Sequence, residues 1–188
     1  MANFEKAYKR LGPNEGGYAN HPNDRGGETW KGIARNFWPR WAGWIIIDSY
    51  KKRDDFKKAL HNDPDLERHT QDFYKKNFWD VCKLDEANSQ YVAENVFDCA
   101  VNCGTKTGAK FLQKAVNAVL GWCELKVDSI IGPRTLKAVN VMDEDKIINK
   151  YLDLRLEYYR AIVERDHSQL VFYNGWTKRV EKMRKKVG

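Results

Sequence analysis

The sequence predicts a mainly α-helical fold with one small irregular β segment near the N-terminus. Apolar residues recur at helical spacing along most of the chain, which is the pattern of amphipathic helices. Glycine is concentrated in one early stretch, residues 16–32, which holds five of the 13 glycines together with a proline and two asparagines. Such turn-forming residues favour a short hairpin over a helix, so we expect the β segment over residues 16–34.

The first predicted element is a short amphipathic helix over residues 2–11, ended by the Gly12–Pro13 pair. Its apolar face consists of residues spaced as i, i+3, i+4 and i+7, namely Phe4, Ala7, Tyr8 and Leu11. Residues 37–50 are rich in tryptophan and isoleucine and fit either a helix or a buried strand. Periodicity does not decide between these two structures.

The rest of the chain predicts a helical body. The expected helices cover residues 65–77, 89–103, 105–119, a segment that starts at Pro133, 143–166 as the longest, and 169–186. We expect a soft boundary near residue 86. Residues 1–86 hold the side chains with the strongest chemical signal, and residues 87–188 form a helical region, the two packed as one globular unit.

Composition and charge narrow the class of protein. Of the 188 residues, 42% are hydrophobic and 31% are charged, which is typical of a globular chain. The net charge of +7 favours an anionic partner, which could be nucleic acid, acidic lipid or an anionic wall polymer. No stretch of 18 apolar residues is present, and the N-terminal residues lack the apolar stretch of a signal peptide. We therefore expect synthesis in the cytoplasm and no stable membrane insertion.

The cysteines and histidines give no sign of a metal site or a nucleophilic triad. No two of the four cysteines (Cys82, Cys99, Cys103 and Cys123) have the Cys-x-x-Cys spacing of zinc sites, and the histidines do not cluster near them, so a zinc site is not expected. Cys99 and Cys103 lie four residues apart in an apolar helical stretch, which favours buried thiols over a disulfide. The four histidines are scattered and lack a serine or cysteine partner at motif spacing. We expect no metal and no cofactor.

The strongest chemical signal is a group of two carboxylates and a hydroxyl around the glycine-rich stretch: Glu15, Asp24 and Thr29. If this stretch folds back on itself, all three side chains could face one cleft. Hydrolysis of a glycosidic bond needs such a set, because one protonated acid donates to the leaving oxygen while a second, ionised carboxylate activates water.

The expected environments give the two acids different roles. Glu15 follows the first helix, where the negative end of the helix dipole, together with burial against Tyr18 or Trp30, would raise its pKa and keep it protonated. Asp24 stands beside Arg25 in a polar stretch and would stay ionised. Glu28 competes with Asp24 for the second role, and an Asp among glycines often only shapes a turn.

The same residues carry a resemblance to a known family. The motif Glu15-Gly16-Gly17-Tyr18, followed by Asp24-x-Gly26-Gly27-Glu28-Thr29, resembles the N-acetylmuramidases of glycoside hydrolase family 108. The order Glu, Asp, Thr is also similar to the triad of phage-type lysozymes, although the interval from Asp24 to Thr29 is one residue shorter. The resemblance implies a lysozyme-like α+β fold and cleavage between N-acetylmuramic acid and N-acetylglucosamine, without a metal.

Downstream motifs extend the resemblance over nearly the whole chain. They resemble the predicted peptidoglycan-binding region of the same family and comprise Phe97-Asp98-x-Ala100-Val101-Asn102-x-Gly104, Val127-Asp128-x-x-x-Gly132-Pro133-x-Thr135 and Gly175-Trp176-x-x-Arg179. On the helix expected over residues 89–103, Asp98 and Asn102 are four residues apart. They are candidates to bind substrate at the cleft, and the alternative is a buried hydrogen-bonded pair or a solvated edge.

The resemblance assigns the roles as follows. Glu15 is the catalytic acid, Asp24 the second catalytic carboxylate, Thr29 holds the attacking water, and Tyr18 binds substrate in the cleft, unless it is a core tyrosine. We expect inversion of the anomeric centre, peptidoglycan glycan strands as the partner, no nucleic acid and a monomer.

The rival hypotheses are a chitinase or chitosanase and a non-catalytic peptidoglycan-binding module. A phage or prophage endolysin, released to the wall by another route, is the simplest setting; an effector or a wall-remodelling enzyme are the alternatives.

Overall fold

The computed structural model describes residues 1–12, 17–20, 26–121 and 125–184. The chain divides into two compact units. The sheet unit is Tyr8–Asn77, and the helical unit is Met1–Ala7 together with Phe78–Gly188. The boundary expected near residue 86 stays a prediction.

The small antiparallel sheet has the strand order β1-β2-β3. The elements between the N-terminus and residue 79 are α1 (Phe4–Leu11), β1 (Tyr18–Ala19), β2 (Thr29–Trp30), β3 (Ile33–Ala34), α2 (Gly43–Tyr50), α3 (Phe56–His61), α4 (Pro64–Tyr74) and a π-helical turn (Lys75–Trp79). The predicted fold class, mainly α with a small β segment, is confirmed. The undecided stretch 37–50 contains helix α2. Helix α3 was not predicted.

Helix α4 shows how local sequence sets a helix start. Asp63 is its N-cap, and the Asp63 side chain accepts a hydrogen bond of 2.7 Å from the backbone N–H of Leu66. Pro64 occupies the first turn, where its missing N–H is not needed. The face that follows buries Leu66, Thr70, Phe73 and Tyr74.

The helical unit continues with a 3-10 turn (Leu84–Glu86), α5 (Gln90–Cys103), α6 (Thr105–Leu120), α7 (Pro133–Val141), α8 (Glu144–Arg165), a 3-10 turn (His167–Gln169) and α9 (Leu170–Arg184). Ser89 caps α5 by accepting from the N–H of Val92 at 3.1 Å. Gly104, with φ of +92°, ends α5 in a backbone conformation that favours glycine, and α6 begins at the next residue.

The core of the helical unit forms around α5, which is buried continuously from Tyr91 to Ala100. Phe97 packs edge-on against Phe4 and Trp79, with ring centroids 5.7 and 5.6 Å away. Burying each such ring contributes about 1.5–3 kcal/mol. Cys99 is a buried free thiol, as predicted, whereas Cys103, for which burial was also predicted, is a half-buried free thiol. Cys82 is a buried free thiol, and Cys123 lies outside the described residues. None of the helices in the described ranges has both the length and the apolarity needed to cross a bilayer.

Candidate active site

The strand register fixes the surroundings of Tyr18 and Thr29. Tyr18 pairs with Trp30, and Ala19 pairs with Thr29, in the antiparallel β1–β2 ladder. On the other side Thr29 pairs with Ala34. Thr29 is therefore on the central strand. Its hydroxyl is half-buried and donates a hydrogen bond of 3.1 Å to the carbonyl oxygen of Gly27.

A two-residue turn joins β2 to β3 and is tied to two neighbouring segments. Lys31 and Gly32 have φ of +43° and +87°, the pattern of a type I′ hairpin turn. The N–H of Lys31 donates to Gly17 O at 2.8 Å, and its carbonyl oxygen accepts from the Tyr74 hydroxyl at 2.6 Å. The turn of the hairpin is thereby bound through Lys31 both to α4 and to the residue that precedes β1.

Gly17, the third residue of the Glu-Gly-Gly-Tyr motif, meets two requirements that only glycine satisfies. Its φ is +49°, a left-handed conformation that costs other residues about 1–2 kcal/mol. A Cβ at this position would overlap the His61 imidazole, lying against Nε2 and 2.7 Å from Cε1. The chain just after Glu15 is thus in close contact with the end of α3.

Trp30 anchors the sheet to α4. The ring is 1% exposed, and its Nε1–H donates to the Thr70 hydroxyl at 3.1 Å. Thr70 in turn donates to the Leu66 carbonyl at 2.7 Å, so the buried polar atoms are satisfied. The His61 ring lies 5.3 Å from the Trp30 ring, which orders the imidazole that faces Gly17.

Glu28 is the centre of a charged cluster, which we call the Glu28 cluster and which also contains Tyr18, Arg35, Asp48 and Lys51. The Glu28 side chain is only 8% exposed. Its Oε1 accepts from the Tyr18 hydroxyl at 2.8 Å and from Lys51 Nζ at 2.8 Å. Its Oε2 pairs with Arg35 at 2.6 Å. Both oxygens of this buried carboxylate are therefore engaged.

Asp48 closes the cluster on the solvent side. It pairs with Arg35 and Lys51 at 2.6 and 2.7 Å. The hydrogen bond from Arg35, followed by that from Lys51, lowers the pKa of Asp48 to about 2. Burial, followed by the hydrogen bond to Glu28, raises the pKa of Tyr18. The Tyr18 hydroxyl is therefore a hydrogen-bond donor at neutral pH, and the two acids share two cations.

The helical unit contains a second charged cluster, around Asp98 of α5. The Asp98 carboxylate is 4% exposed and pairs with Arg155 of α8 at 2.7 Å; the Arg155 side chain is fully buried. Arg179 of α9 pairs with the other carboxylate oxygen at 2.8 Å. Asp98 thus joins three helices of this unit.

Asn102 is exposed and lies one turn after Asp98. Its Oδ1 accepts from the Tyr159 hydroxyl, which itself accepts from Arg155 Nε at 2.9 Å. The Tyr159 ring stacks on Trp176 with centroids 4.9 Å apart. Asp98 and Asn102 therefore contact the same α8–α9 network rather than each other.

Two amides of α6 shape the loop that precedes α7. Gln113, buried to 1% exposure, donates to Asp128 Oδ1 at 2.8 Å and accepts from the N–H of Ser129 at 2.9 Å. Asn117 binds both the N–H and the carbonyl of Leu125, at 2.7 and 2.8 Å. A cavity of about 270 Å³ lies beside this loop, at the start of α7.

Two protein-family models match the sequence. The family model described as Glycosyl hydrolase 108 matches residues 8–104, more than half of the chain. The chain belongs to glycoside hydrolase family 108. A second model, Predicted Peptidoglycan domain, matches residues 107–181. This family 108 protein is therefore a peptidoglycan hydrolase, with the N-acetylmuramidase activity that the family indicates.

A solved structure supports the assignment over nearly the full length. The structure of Brucella abortus SagA is 31% identical to this family 108 chain, with a TM-score of 0.65. The similarity covers 96% of this chain and 91% of that one. No curated protein matches the sequence.

The structure locates part of the predicted site of this family 108 hydrolase. Tyr18 and Thr29 lie on neighbouring strands, while Glu15 and Asp24 lie outside the described residues. Asp98 and Asn102 belong to the helical unit, and their contacts are those of a structural network; their role in substrate binding stays a prediction.

The partners of Glu28 were not found from the sequence. Arg35 and Lys51 lie 7 and 23 residues after Glu28, at no motif spacing. A local signal existed for one of them, because Lys51 and Asp48 stand three residues apart at the end of α2 and form an ion pair there. The link to Glu28 depends on how α2 packs near the sheet, which no local pattern gives.

Proposed function

We propose that the enzyme hydrolyses the bond between N-acetylmuramic acid and N-acetylglucosamine with Glu15 as general acid and Asp24 as the second carboxylate. Thr29 holds the attacking water on the opposite face of the sugar, which gives inversion of the anomeric centre. The observation that carries the choice of Asp24 is the engagement of its competitor, Glu28, by three donors.

Glu28 is poorly suited to activate water. A general base needs a free oxygen within hydrogen-bond reach of the water, about 2.6–3.2 Å. Tyr18 and Lys51 share one Glu28 oxygen and Arg35 binds the other, so three of the roughly four acceptor sites of the carboxylate are already occupied. These contacts support a positioning role for Glu28: its cluster holds the Tyr18 side of the hairpin in place.

Thr29 is suited to hold water. Its hydroxyl hydrogen is directed at Gly27 O, which leaves the oxygen lone pairs to accept a hydrogen bond from a water molecule. A water held there keeps its second hydrogen for the base. In the mechanism, Asp24 takes that proton, the water oxygen bonds to the anomeric carbon, and Glu15 protonates the departing oxygen.

The position of Gly17 supports the assignment of Glu15. Gly17 follows Glu15 by two residues, and its left-handed backbone and its contact with His61 leave little freedom for the chain at this point. Catalysis depends on placing the acid accurately, because a displacement of about 1 Å can cost 10²-fold in rate. Fixing the end of the motif in this way serves that requirement.

We further propose that the enzyme acts in phage or prophage lysis, as a monomer that reaches the wall after release by another route. The net charge of +7 supports attraction to an anionic wall. Coexpression with a membrane-permeabilising holin tests this setting. Lysis that needs both proteins and active Glu15 supports the proposal, whereas export and wall cleavage without the holin would contradict it.

The activity is tested on purified peptidoglycan with wild type, Glu15→Gln and Asp24→Asn. We expect wild type to release reducing N-acetylmuramic acid ends, and Glu15→Gln to be at least ~10²-fold slower. Mass spectrometry of the products identifies the bond, and early ¹H NMR of the released anomer tests inversion. Products with reducing N-acetylglucosamine ends, or equal cleavage of chitin, would refute the muramidase assignment.

A further inference from the structure

The sheet unit carries an open groove lined by aromatic rings, apart from the residues assigned to catalysis. We call it the aromatic groove; its rings are Phe37, Trp38, Trp41 and Phe73, and its volume is about 480 Å³. Phe37 is 68% exposed and Trp38 is 41% exposed. Exposed aromatic side chains grouped in a concave surface with a polar rim indicate a binding site.

The rings of the aromatic groove are held in place by the protein. Trp38 packs edge-on against Phe73, with centroids 4.9 Å apart and planes at 88°. The Trp41 Nε1–H donates to the carbonyl of His69 at 3.2 Å, and the Trp41 ring fills the space that a side chain at Gly43 would occupy. A ligand therefore meets a preformed surface, which lowers the entropic cost of binding.

The rim supplies hydrogen-bonding and charged groups that the protein leaves available. His69, Asp72 and Lys76 also line the groove and follow one another at i, i+3 and i+7 along α4 and the π-helical turn. Arg40 lies in the segment between Trp38 and Trp41. None of these four side chains forms an ion pair or hydrogen bond within residues 1–12, 17–20, 26–121 and 125–184.

These features specify the chemistry of the ligand. A pyranose ring has a flat face of C–H groups that packs on an indole, with hydroxyls at its edge for carboxylate and imidazole groups. Two cations, Arg40 and Lys76, stand against one acid, Asp72, which favours a ligand that bears a negative charge. Among the parts of peptidoglycan, the muramyl residue combines a pyranose ring with negative charge, because its lactyl carboxyl is amide-linked to a stem peptide that carries free carboxylates.

We propose that the aromatic groove is an auxiliary glycan-binding site that holds a muramyl residue of the peptidoglycan strand by stacking on Trp38. The choice of ligand rests on the proposed function, whereas the groove itself is made of different residues from the catalytic set. Holding the strand at a second point raises the local concentration of substrate at the catalytic site. The groove therefore acts on KM for polymeric peptidoglycan and leaves kcat unchanged.

The test is an NMR titration of the full chain in the Glu15→Gln background, with a soluble GlcNAc–MurNAc tetrasaccharide that retains its stem peptides as probe. The indole N–H signals of Trp38 and Trp41 report binding at the groove itself. We expect these signals to shift with tetrasaccharide, Trp38→Ala to weaken the affinity read from Trp41 by roughly tenfold, and Trp38→Phe to retain most of it. Ile45→Ala, at an exposed side chain of α2 that does not line the groove, is the control and leaves the affinity unchanged.

The role of charge is tested with chitotetraose, which has the same β-1,4-linked sugar backbone without the lactyl groups, the stem peptides or their carboxylates. We expect Arg40→Ala and Lys76→Ala to weaken tetrasaccharide binding and to leave chitotetraose binding unaffected. The proposal is overturned if the indole signals do not shift, or if wild type binds the two sugars equally. In the chain with Glu15 intact, Trp38→Ala should raise KM for peptidoglycan. If wild type does not cleave peptidoglycan at all, the muramidase mechanism is refuted, but the binding result at the groove still stands.

Discussion

The two units each bury a carboxylate between two cations, but they do so in different ways. In the helical unit, Asp98 pairs with Arg155, whose side chain is fully buried, and with Arg179. In the sheet unit, Glu28 pairs with Arg35 and Lys51, whose side chains are 28% and 38% exposed.

This difference in exposure predicts how much stability is lost when each carboxylate is removed. If Asp98 is removed, Arg155 is left as a buried charge that water cannot reach. If Glu28 is removed, its cations can turn to solvent and to Asp48, which already pairs with both. We therefore expect the Asp98 cluster to contribute more to the stability of the fold than the Glu28 cluster, which positions the hairpin that carries Tyr18 and Thr29.

The largest expected effect follows from removing Asp98. We expect Asp98→Ala to lower the free energy of unfolding by about 3–5 kcal/mol, because it leaves Arg155 uncompensated. Urea unfolding followed by tryptophan fluorescence measures this. Asp153→Ala, which removes a 54% exposed partner of Arg184, is the control and should cost at most about 1 kcal/mol. A loss of less than 1 kcal/mol for Asp98→Ala would end the distinction between the clusters.

The next effect sharpens the comparison at Glu28. Glu28→Gln should lower the free energy of unfolding by about 1–3 kcal/mol, since the hydrogen bonds to the charged Arg35 and Lys51 weaken but their charges reach solvent. The same urea experiment applies, with Glu86→Gln as an exposed control. A cost equal to that of Asp98→Ala would show that exposure of the partners does not matter.

A smaller effect is expected in the Glu-Gly-Gly-Tyr motif. Gly17→Ala should cost about 1–2 kcal/mol from the positive φ alone, with an additional cost from the overlap with His61. Adding His61→Ala should remove the overlap and recover that additional part. Melting temperatures of the two single variants and the double variant measure the coupling; additive effects would show that the contact with His61 does not limit position 17.

The smallest effect concerns pH. Asp48 has a pKa of about 2 in the folded protein, below the usual value near 3.9. Its pairing therefore stabilises the protein above pH ~4 and is lost as the pH falls towards 2. Because Asp48 is 48% exposed, we expect less than about 1 kcal/mol. The stability difference between wild type and Asp48→Asn should shrink as the pH falls from 4 towards 2; a difference that stays constant over this range would contradict this.

Regular helices could be predicted because their signal is local. The apolar face of α5 and the glycine that ends it are visible in the sequence, and the helix runs from Gln90 to Cys103 as expected. Helix α3, Phe56–His61, was missed because six residues with one buried side chain carry almost no periodicity. The stretch 37–50, which contains α2, was ambiguous because its apolar residues Trp44–Ile47 are consecutive.

The charged clusters could not be predicted because their partners are distant in sequence. Asp98 and Arg155 are 57 residues apart. One signal was present: Arg155 falls on the buried stripe of α8 with Leu152 and Tyr159, and a charge there requires a partner on the facing helix. The catalytic candidates, by contrast, were found because the motif keeps them within 15 residues. The exposed rings of the aromatic groove had no such motif.

Paired measurement of activity and stability for Glu15→Gln and Glu28→Gln tests the central assignment most directly. Initial rates of reducing-end release from peptidoglycan are divided by the folded fraction, which comes from urea unfolding under the same conditions. Glu15→Gln should lose at least ~10²-fold in rate with unchanged stability, and Glu28→Gln should lose stability but keep its rate per folded molecule within a few-fold. An inactive Glu28→Gln that is as stable as wild type, beside an active Glu15→Gln, would contradict the assignment.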